Sequence, residues 1–315
     1  MINYSKKILN KIKRIPILEK FVIIFILLLL ICIFSNLDRF KEGYQERKEI
    51  IKKVGGKVYD GYYVDIYDKI TYNSLKNEYE INKIIKNEYN SKSIILDVGC
   101  GTGHHVNILK LKGANDVIGV DNSKSMIKKA KKNYPNNKYM LCKNINTLEF
   151  DRAKFTHITC LYFTIYYIDD KKKFFENCFY WLKPGGFLII HLVDPLHFDP
   201  VIPNGKPLKM KYDKGDRITR SKAEFKDFDY RSDFILDEKI NLDNKYLTKK
   251  NAIFKETIND KRNNKTIINE HHMFFISQNS ILNIAKSVGF YLRSINEMIE
   301  ISYENNFLYT LVKPN

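Results

Sequence analysis

Residues 93–103, Ser-Ile-Ile-Leu-Asp-Val-Gly-Cys-Gly-Thr-Gly, constrain this chain more than any other stretch. Ile94, Ile95 and Leu96 make an apolar run of the kind found in strands buried on both faces, and Asp97 ends it. Gly99, Gly101 and Gly103 follow at alternate positions, giving a turn in which no Cβ keeps a ligand from the backbone. Residues 104–112 then read as a helix with Val106, Ile108, Leu109 and Leu111 apolar. Its first N–H groups lack intrahelical partners and face the turn. Strand, glycine turn, helix and a carboxylate at the strand end together describe a nucleotide-type site.

The spacing narrows the class. A dinucleotide loop wants Gly-x-Gly-x-x-Gly, whereas here the third glycine is Gly103 and His104 follows it; no Lys-Ser/Thr pair makes a phosphate-cradling P-loop. The unit then repeats. Residues 116–121 form a second buried strand ending in Asp121, and Asn122-Ser123 caps a helix over 124–133. Residues 138–142 form a third strand followed by Asn144 and Ile145. A fourth strand covers 155–163. A helix opened by Asp169-Asp170 leads to Leu182-Lys183-Pro184-Gly185-Gly186 and a fifth strand over 187–193. Such alternation predicts a parallel sheet.

The pattern apolar-apolar-Asp-apolar-Gly-Cys-Gly-Thr-Gly resembles the first signature of the class I S-adenosylmethionine (SAM) methyltransferases. Leu-Lys-Pro-Gly-Gly before a buried strand is a specific mark of the same family, and the resemblance covers residues 59–314. It implies an α/β fold: a seven-stranded, mostly parallel, Rossmann-like sheet with helices on both faces, and SAM as cofactor. It assigns Asp97, Gly99, Cys100, Gly101 and Gly103 to the methionine end and Asp121 with Asn122 to the ribose. Asn144 and Ile145 go to the adenine, and Leu161 and Tyr162 flank the sulfonium. Tyr67, in the aromatic stretch 58–68, resembles the family's helix that closes over the methionine end. Asn144 departs from the family's usual Asp, although an amide oxygen still accepts. Thr156-His157 replaces an Asp usual near the start of the fourth strand.

Methyl transfer is an in-line displacement for which a neutral acceptor also needs a proton acceptor. Ligands of open α/β sheets bind at the carboxyl ends of the strands. That position makes Tyr166, His191, Asp194, His197 and His271, with its neighbour His272, the catalytic candidates. His271 and His272 point to opposite faces of their strand, so one of them at most is expected at the pocket. No cysteine or histidine spacing suggests a metal site. Residues 195–276 break the alternation. Four prolines are followed by strands near 252–258 and 266–276, which reads as a small antiparallel β lid inserted after the fifth strand. Residues 290–295 and 307–312 complete the sheet.

Ahead of this domain, placed at 58–315, residues 1–20 are basic and residues 21–34 are uninterruptedly apolar. With flanking apolar residues the run approaches the length of a bilayer-spanning helix. It also lacks small residues at signal-cleavage spacing. The expectation is a single-pass anchor over 1–37, a charged stalk over 38–57, and a catalytic domain facing the cytosol. Five cysteines in apolar settings fit a reducing compartment. The net charge of +17 comes mostly from lysines scattered along solvent faces, which argues against a dedicated nucleic-acid groove. The expected activity is O- or N-methylation of a small-molecule or lipid-like acceptor. The alternatives are an RNA or protein acceptor, or a SAM-fold scaffold without activity. Amino-methylating DNA enzymes would carry Asn/Asp-Pro-Pro-aromatic where this chain has Leu161-Tyr162-Phe163-Thr164, and Cys160 lacks the preceding proline of a cytosine-C5 nucleophile.

Overall fold

The computed structural model describes residues 16–43, 48–208, 218–237, 239, 241–244 and 250–315, with 34–43 described as backbone alone. The chain divides into two units, Met1–Glu49 and Ile50–Asn315. The first contains one described helix, α1 (Ile17–Gly43). No helix among the described residues is long and apolar enough to cross a membrane, which corrects the expected transmembrane anchor as far as those residues reach. Glu19 and Lys20 interrupt the apolar side chains at one end. The described run 21–33 rises only about 20 Å, short of a hydrocarbon core of about 30 Å. The basic residues 1–15 lie outside the described residues.

The second unit is built on two sheets. The first has the strand order β12-β13-β6-β5-β2-β3-β4. Here β2 is Ile94–Val98, β3 Asp116–Asp121, β4 Lys138–Leu141, β5 Phe155–Cys160, β6 Leu182–Val193, β12 Tyr291–Met298 and β13 Tyr303–Val312. The pairs from β4 through β6 are parallel, and β13 runs antiparallel to both of its neighbours. This is the expected seven-stranded Rossmann-like sheet. Its helices are α2 (Gly61–Thr71), α3 (Ser74–Ile85), α4 (His104–Leu111), α5 (Lys124–Asn133), the short α6 (Thr164–Tyr167), α7 (Lys171–Trp181) and α8 (Gln278–Val288). Two apolar clusters sandwich the sheet. One gathers Phe155, Phe174, Phe175 and Trp181; the other gathers Ile84, Ile95, Val106 and Leu109. The central strands are buried on both faces, as their unbroken apolar runs require.

The caps follow local chemistry. Asp60, Ser123, Asp170 and Ser277 each accept a backbone N–H at the start of a helix, and Gly289 ends α8 in the left-handed conformation. The glycine turn is held by β3: the Val120 carbonyl accepts from Gly99 N (2.8 Å) and from Cys100 N (3.0 Å).

The second sheet is antiparallel, in the order β1-β11-β10-β9-β8-β7. It joins β7 (Lys206–Pro207), β8 (Arg220–Glu224), β9 (Phe228–Leu236), β10 (Ala252–Asp260) and β11 (Lys265–Met273). The expected pair near 252 and 266 is therefore part of a larger structure. Residues 49–54, expected as the end of a stalk, form its edge strand β1 (Glu49–Val54). Their alternate half-buried side chains have the period of a strand with one covered face.

Gly119 on β3 sets how closely the turn approaches the sheet. A Cβ there would lie 2.8 Å from both Cys100 Sγ and Val106 Cγ2. Gly119→Val is expected to destabilise the domain by about 1–3 kcal/mol through overpacking, read as a lower urea midpoint at unchanged m-value.

Candidate active site

One cavity of about 520 Å³ opens at the carboxyl ends of β2, β3 and β5, between the first sheet and the second. This is where an α/β sheet of this order binds ligand. Asp97 and Asp121 end adjacent parallel strands, so both carboxylates lie on the same rim.

Asp97 is buried and accepts from Thr159 Oγ1 at 2.7 Å. Burial raises its carboxyl above the ordinary range, against the pull of His105 and the Thr159 bond. Asp121 accepts from Gly101 N (2.9 Å) on one oxygen and from Ser123 N (2.8 Å) on the other. Burial raises it too, opposed by those backbone bonds. Each oxygen keeps a lone pair, so a diol can still be received. Gly99, Gly101 and Gly103 have φ of +75°, +52° and +88°. A Cβ on Gly99 would collide with the Thr164 side chain, and one on Gly103 would come within 2.5 Å of the Tyr139 hydroxyl. Gly101 faces open space, with Tyr67 Cε1 nearest at 3.9 Å. Bare backbone between two acidic strand ends, beneath a tyrosine, fits a nucleoside with a charged tail.

Of the expected cofactor residues, Tyr67, Asp97, Gly99, Cys100, Gly101, Asp121, Asn122, Asn144, Ile145, Leu161 and Tyr162 line the cavity, and Gly103 does not. The Asn144 side-chain oxygen already accepts from Asn146 N at 2.9 Å. Tyr162 holds a positive φ of 54°, which turns the chain out of β5 toward the cavity.

The catalytic candidates separate. His271 and His272 both belong to residues lining the cavity, but their side chains lie on opposite faces of β11, His271 buried against Glu256 and His272 beside Glu270. Tyr166, His191, Asp194 and His197 are not among the lining residues. Tyr166 is core: it stacks on Phe275 at 4.0 Å and its hydroxyl accepts from Val193 N at 2.9 Å. His191 is buried beside Asn306, and desolvation pushes its imidazole down to about 4. Asp194 and His197 pair with each other at 2.9 Å on the surface, where Asp194 caps a turn through Leu196 N. Among the described residues no group of His, Cys, Asp or Glu is arranged to hold a metal ion.

Two buried carboxylate nodes escaped the sequence reading. Glu80 on α3 pairs with Lys76 Nζ at 2.9 Å and His105 Nε2 at 2.8 Å, and Lys76 lies 5.0 Å from the centre of the Tyr162 ring. Glu256 on β10 accepts from the hydroxyls of Tyr63 and Tyr230, both at 2.8 Å, and from Asn269 Nδ2 at 3.2 Å; it lies 2.9 Å from His271 Nε2. Burial alone would raise Glu256, but the facing His271 and its hydrogen bonds hold the carboxyl below the usual range. The alternation of β10 carried a signal, because Glu256 falls on the same inward face as Ile258.

Comparison with known proteins agrees with this geometry. Residues 96–190 match the family described as "Methyltransferase domain". A carboxy-S-adenosyl-L-methionine synthase of Shewanella loihica is 30% identical over 140 residues, covering 37% of this chain and 55% of that protein. The chain thus spans about half the length of that curated relative. Among solved structures, the CcbJ methyltransferase of Streptomyces caelestis superposes with a TM-score of 0.62 at 13% identity, covering 82% of this chain and 99% of that one. SAM-bound CalS10, an amino pentose methyltransferase of Micromonospora echinaspora, gives 0.55 at 15% identity, covering 80% and 96%. At these identities the structures speak for the fold alone. Residues 96–190 thus resemble a methyltransferase domain, and the chain shares its fold with solved methyltransferases.

Desolvation opposes the Glu80 charge, but Lys76 and His105 outweigh it and pull the carboxyl down to about 2. A carboxylate lowered in the folded state contributes stability that is present above its unfolded pKa and lost as pH falls. Unfolding free energy should therefore decline between about pH 4.5 and pH 2. In Glu80→Gln that segment should flatten, and neutral-pH stability should drop by about 3–5 kcal/mol because Lys76 stays buried without its counter-charge. Urea titrations across this pH range measure both effects.

Proposed function

We propose that this SAM-dependent methyltransferase domain transfers a methyl group to an oxygen or nitrogen of a small-molecule acceptor. The observation that carries the reading is one continuous cavity, with the glycine turn and its two acidic strand ends on one side and the aromatic face of the second sheet on the other. When bound, SAM supplies an electrophilic methyl on a charged sulfur leaving group. The chain's own work is then alignment and exclusion of water. Asp121 would take the ribose hydroxyls, Gly99 to Gly103 and Asp97 the amino-acid end, and Asn144 with Ile145 the adenine. The second sheet would act as the lid that shapes the acceptor pocket, with Tyr230, Phe254 and Glu256 contributing to its wall.

Small, polar acceptors agree with the CalS10-like fold, whose relative acts on an amino pentose. The carboxy-SAM synthase named above would suggest a different product, a cofactor bearing an extra carboxylate. Such a product needs a cation held at the carboxylate; among the described lining residues there is no arginine, Lys76 already faces Glu80, and Lys143 and Lys250 are exposed. Methyl transfer is therefore the better reading. For localisation we propose a cytosol-facing domain held at a membrane through α1, whose described side chains from Phe21 to Ile33 are largely exposed and apolar. A lipid-like acceptor would suit that placement.

Titration calorimetry tests the core of the proposal. The protein should bind SAM, and Asp121→Ala should weaken binding at least about 10-fold by removing the ribose acceptor. No binding by the unaltered protein would overturn the reading.

A further inference from the structure

The tyrosines above the cavity are wired to a histidine in a fixed direction. Glu256 is 1% exposed and, ionised, can only accept. Tyr63 and Tyr230 donate to one oxygen, and Asn269 and His271 occupy the other. This accounting puts a proton on His271 Nε2, and in the neutral imidazole Nδ1 is then the acceptor. Nδ1 receives the Tyr167 hydroxyl at 2.9 Å, and the Tyr167 oxygen receives the Tyr59 hydroxyl at 3.4 Å. Tyr59 and Tyr167 both line the cavity. The chain Tyr59–Tyr167–His271–Glu256 therefore begins at a residue lining the ligand space and ends at a buried carboxylate.

We infer that Tyr59 takes the proton of a hydroxyl acceptor and that the acceptor is a phenol, so that the reaction is O-methylation. This rests on the methyl-transfer reading. As the acceptor oxygen forms its bond to the methyl carbon, the carbon–sulfur bond breaks and its electron pair stays on sulfur as a neutral thioether. The acceptor proton passes to the Tyr59 oxygen, the Tyr59 proton to Tyr167, and the Tyr167 proton to His271 Nδ1. The resulting imidazolium faces Glu256. A neutral amine can lose its proton after transfer, so the relay matters most for a hydroxyl, whose alkylated neutral form is too acidic to wait. Burial holds both phenols well above the usual tyrosine range, so they stay protonated and can relay. Tyr67, Tyr162, Phe163 and Phe254 line the same cavity and make its wall rich in aromatic rings. Tyr59 is the catalytic residue here, and His271 and Glu256 are positioning residues.

The test uses the full chain, with catechol and benzylamine as probes. Catechol should give S-adenosylhomocysteine, with kcat reduced at least about 100-fold in Tyr59→Phe and His271→Gln and the KM for SAM changed less than about 3-fold. A second readout is the ¹⁵N spectrum of the histidine side chains. With S-adenosylhomocysteine bound, catechol should shift His271 Nδ1 in the unaltered protein and not in Tyr59→Phe, a variant that removes one oxygen and is expected to fold. If SAM binds but catechol is neither methylated nor shifts His271, the phenol assignment is overturned and the methyltransferase reading stands. The same holds if benzylamine alone is turned over, equally in Tyr59→Phe. If SAM does not bind, the underlying reading itself fails.

Discussion

The site depends on how the glycine turn is tied down over its neighbouring strand. The Val120 carbonyl accepts two consecutive N–H groups of the turn, and the Asp121 side chain accepts a third from Gly101. Strand pairing alone would leave those donors without partners where β2 stops, and buried backbone N–H groups do not stay unpaired. The tie explains the left-handed glycines, because only that backbone path brings three successive donors back toward β3. It also explains Gly119, whose missing Cβ admits the Cys100 side chain. One set of backbone bonds thereby orients Asp121, launches α4 and keeps the floor of the cavity open.

The roof depends on a different kind of constraint. Glu256 lies on β10, yet its partners come from α2, β9 and β11, and through His271 the network reaches α6. A buried carboxylate without such donors would be strongly unfavourable; the second sheet supplies Tyr230, Asn269 and His271, and Tyr63 of α2 and Tyr167 of α6 tie the network to the helices beside the first sheet. Lys171 adds a second tie, donating to the Ile168 and Phe274 carbonyls; desolvation lowers its ammonium to about 7. The packing of the two sheets is thus specified by polar groups that have few alternative partners.

The floor was legible in the sequence and the roof was not. Residues 94–121 encode their structure locally: apolar runs, alternate glycines and a Ser123 cap each act within a few positions, so the parallel sheet and both acidic strand ends could be read directly. The partners of Glu256 are drawn from residues 63 to 271, and no periodicity links positions so far apart. Position alone likewise favoured Tyr166 and His191. Both stand near the strand ends, but their side chains turn into the core, where Phe275 and Asn306 receive them. Residues 49–54 misled in the opposite sense. Their charge suggested a stalk, but an edge strand needs only one covered face.

The charges around the cavity bear on catalysis as well as binding. Asp68, Asp97, Asp121, Asp169 and Glu256 line it, opposed by Lys76, which is itself paired, and by the exposed Lys143 and Lys250. Such a field favours a sulfonium over the neutral thioether that remains after transfer, which helps to discharge the product. Taken alone it would also slow the reaction, since it stabilises a charge that disappears at the transition state. The proposed proton relay ending beside Glu256 would resolve this conflict. Under the proposed relay the positive charge lost from sulfur would reappear on His271, 2.9 Å from a carboxylate already in place, so the same field would stabilise the product of proton transfer.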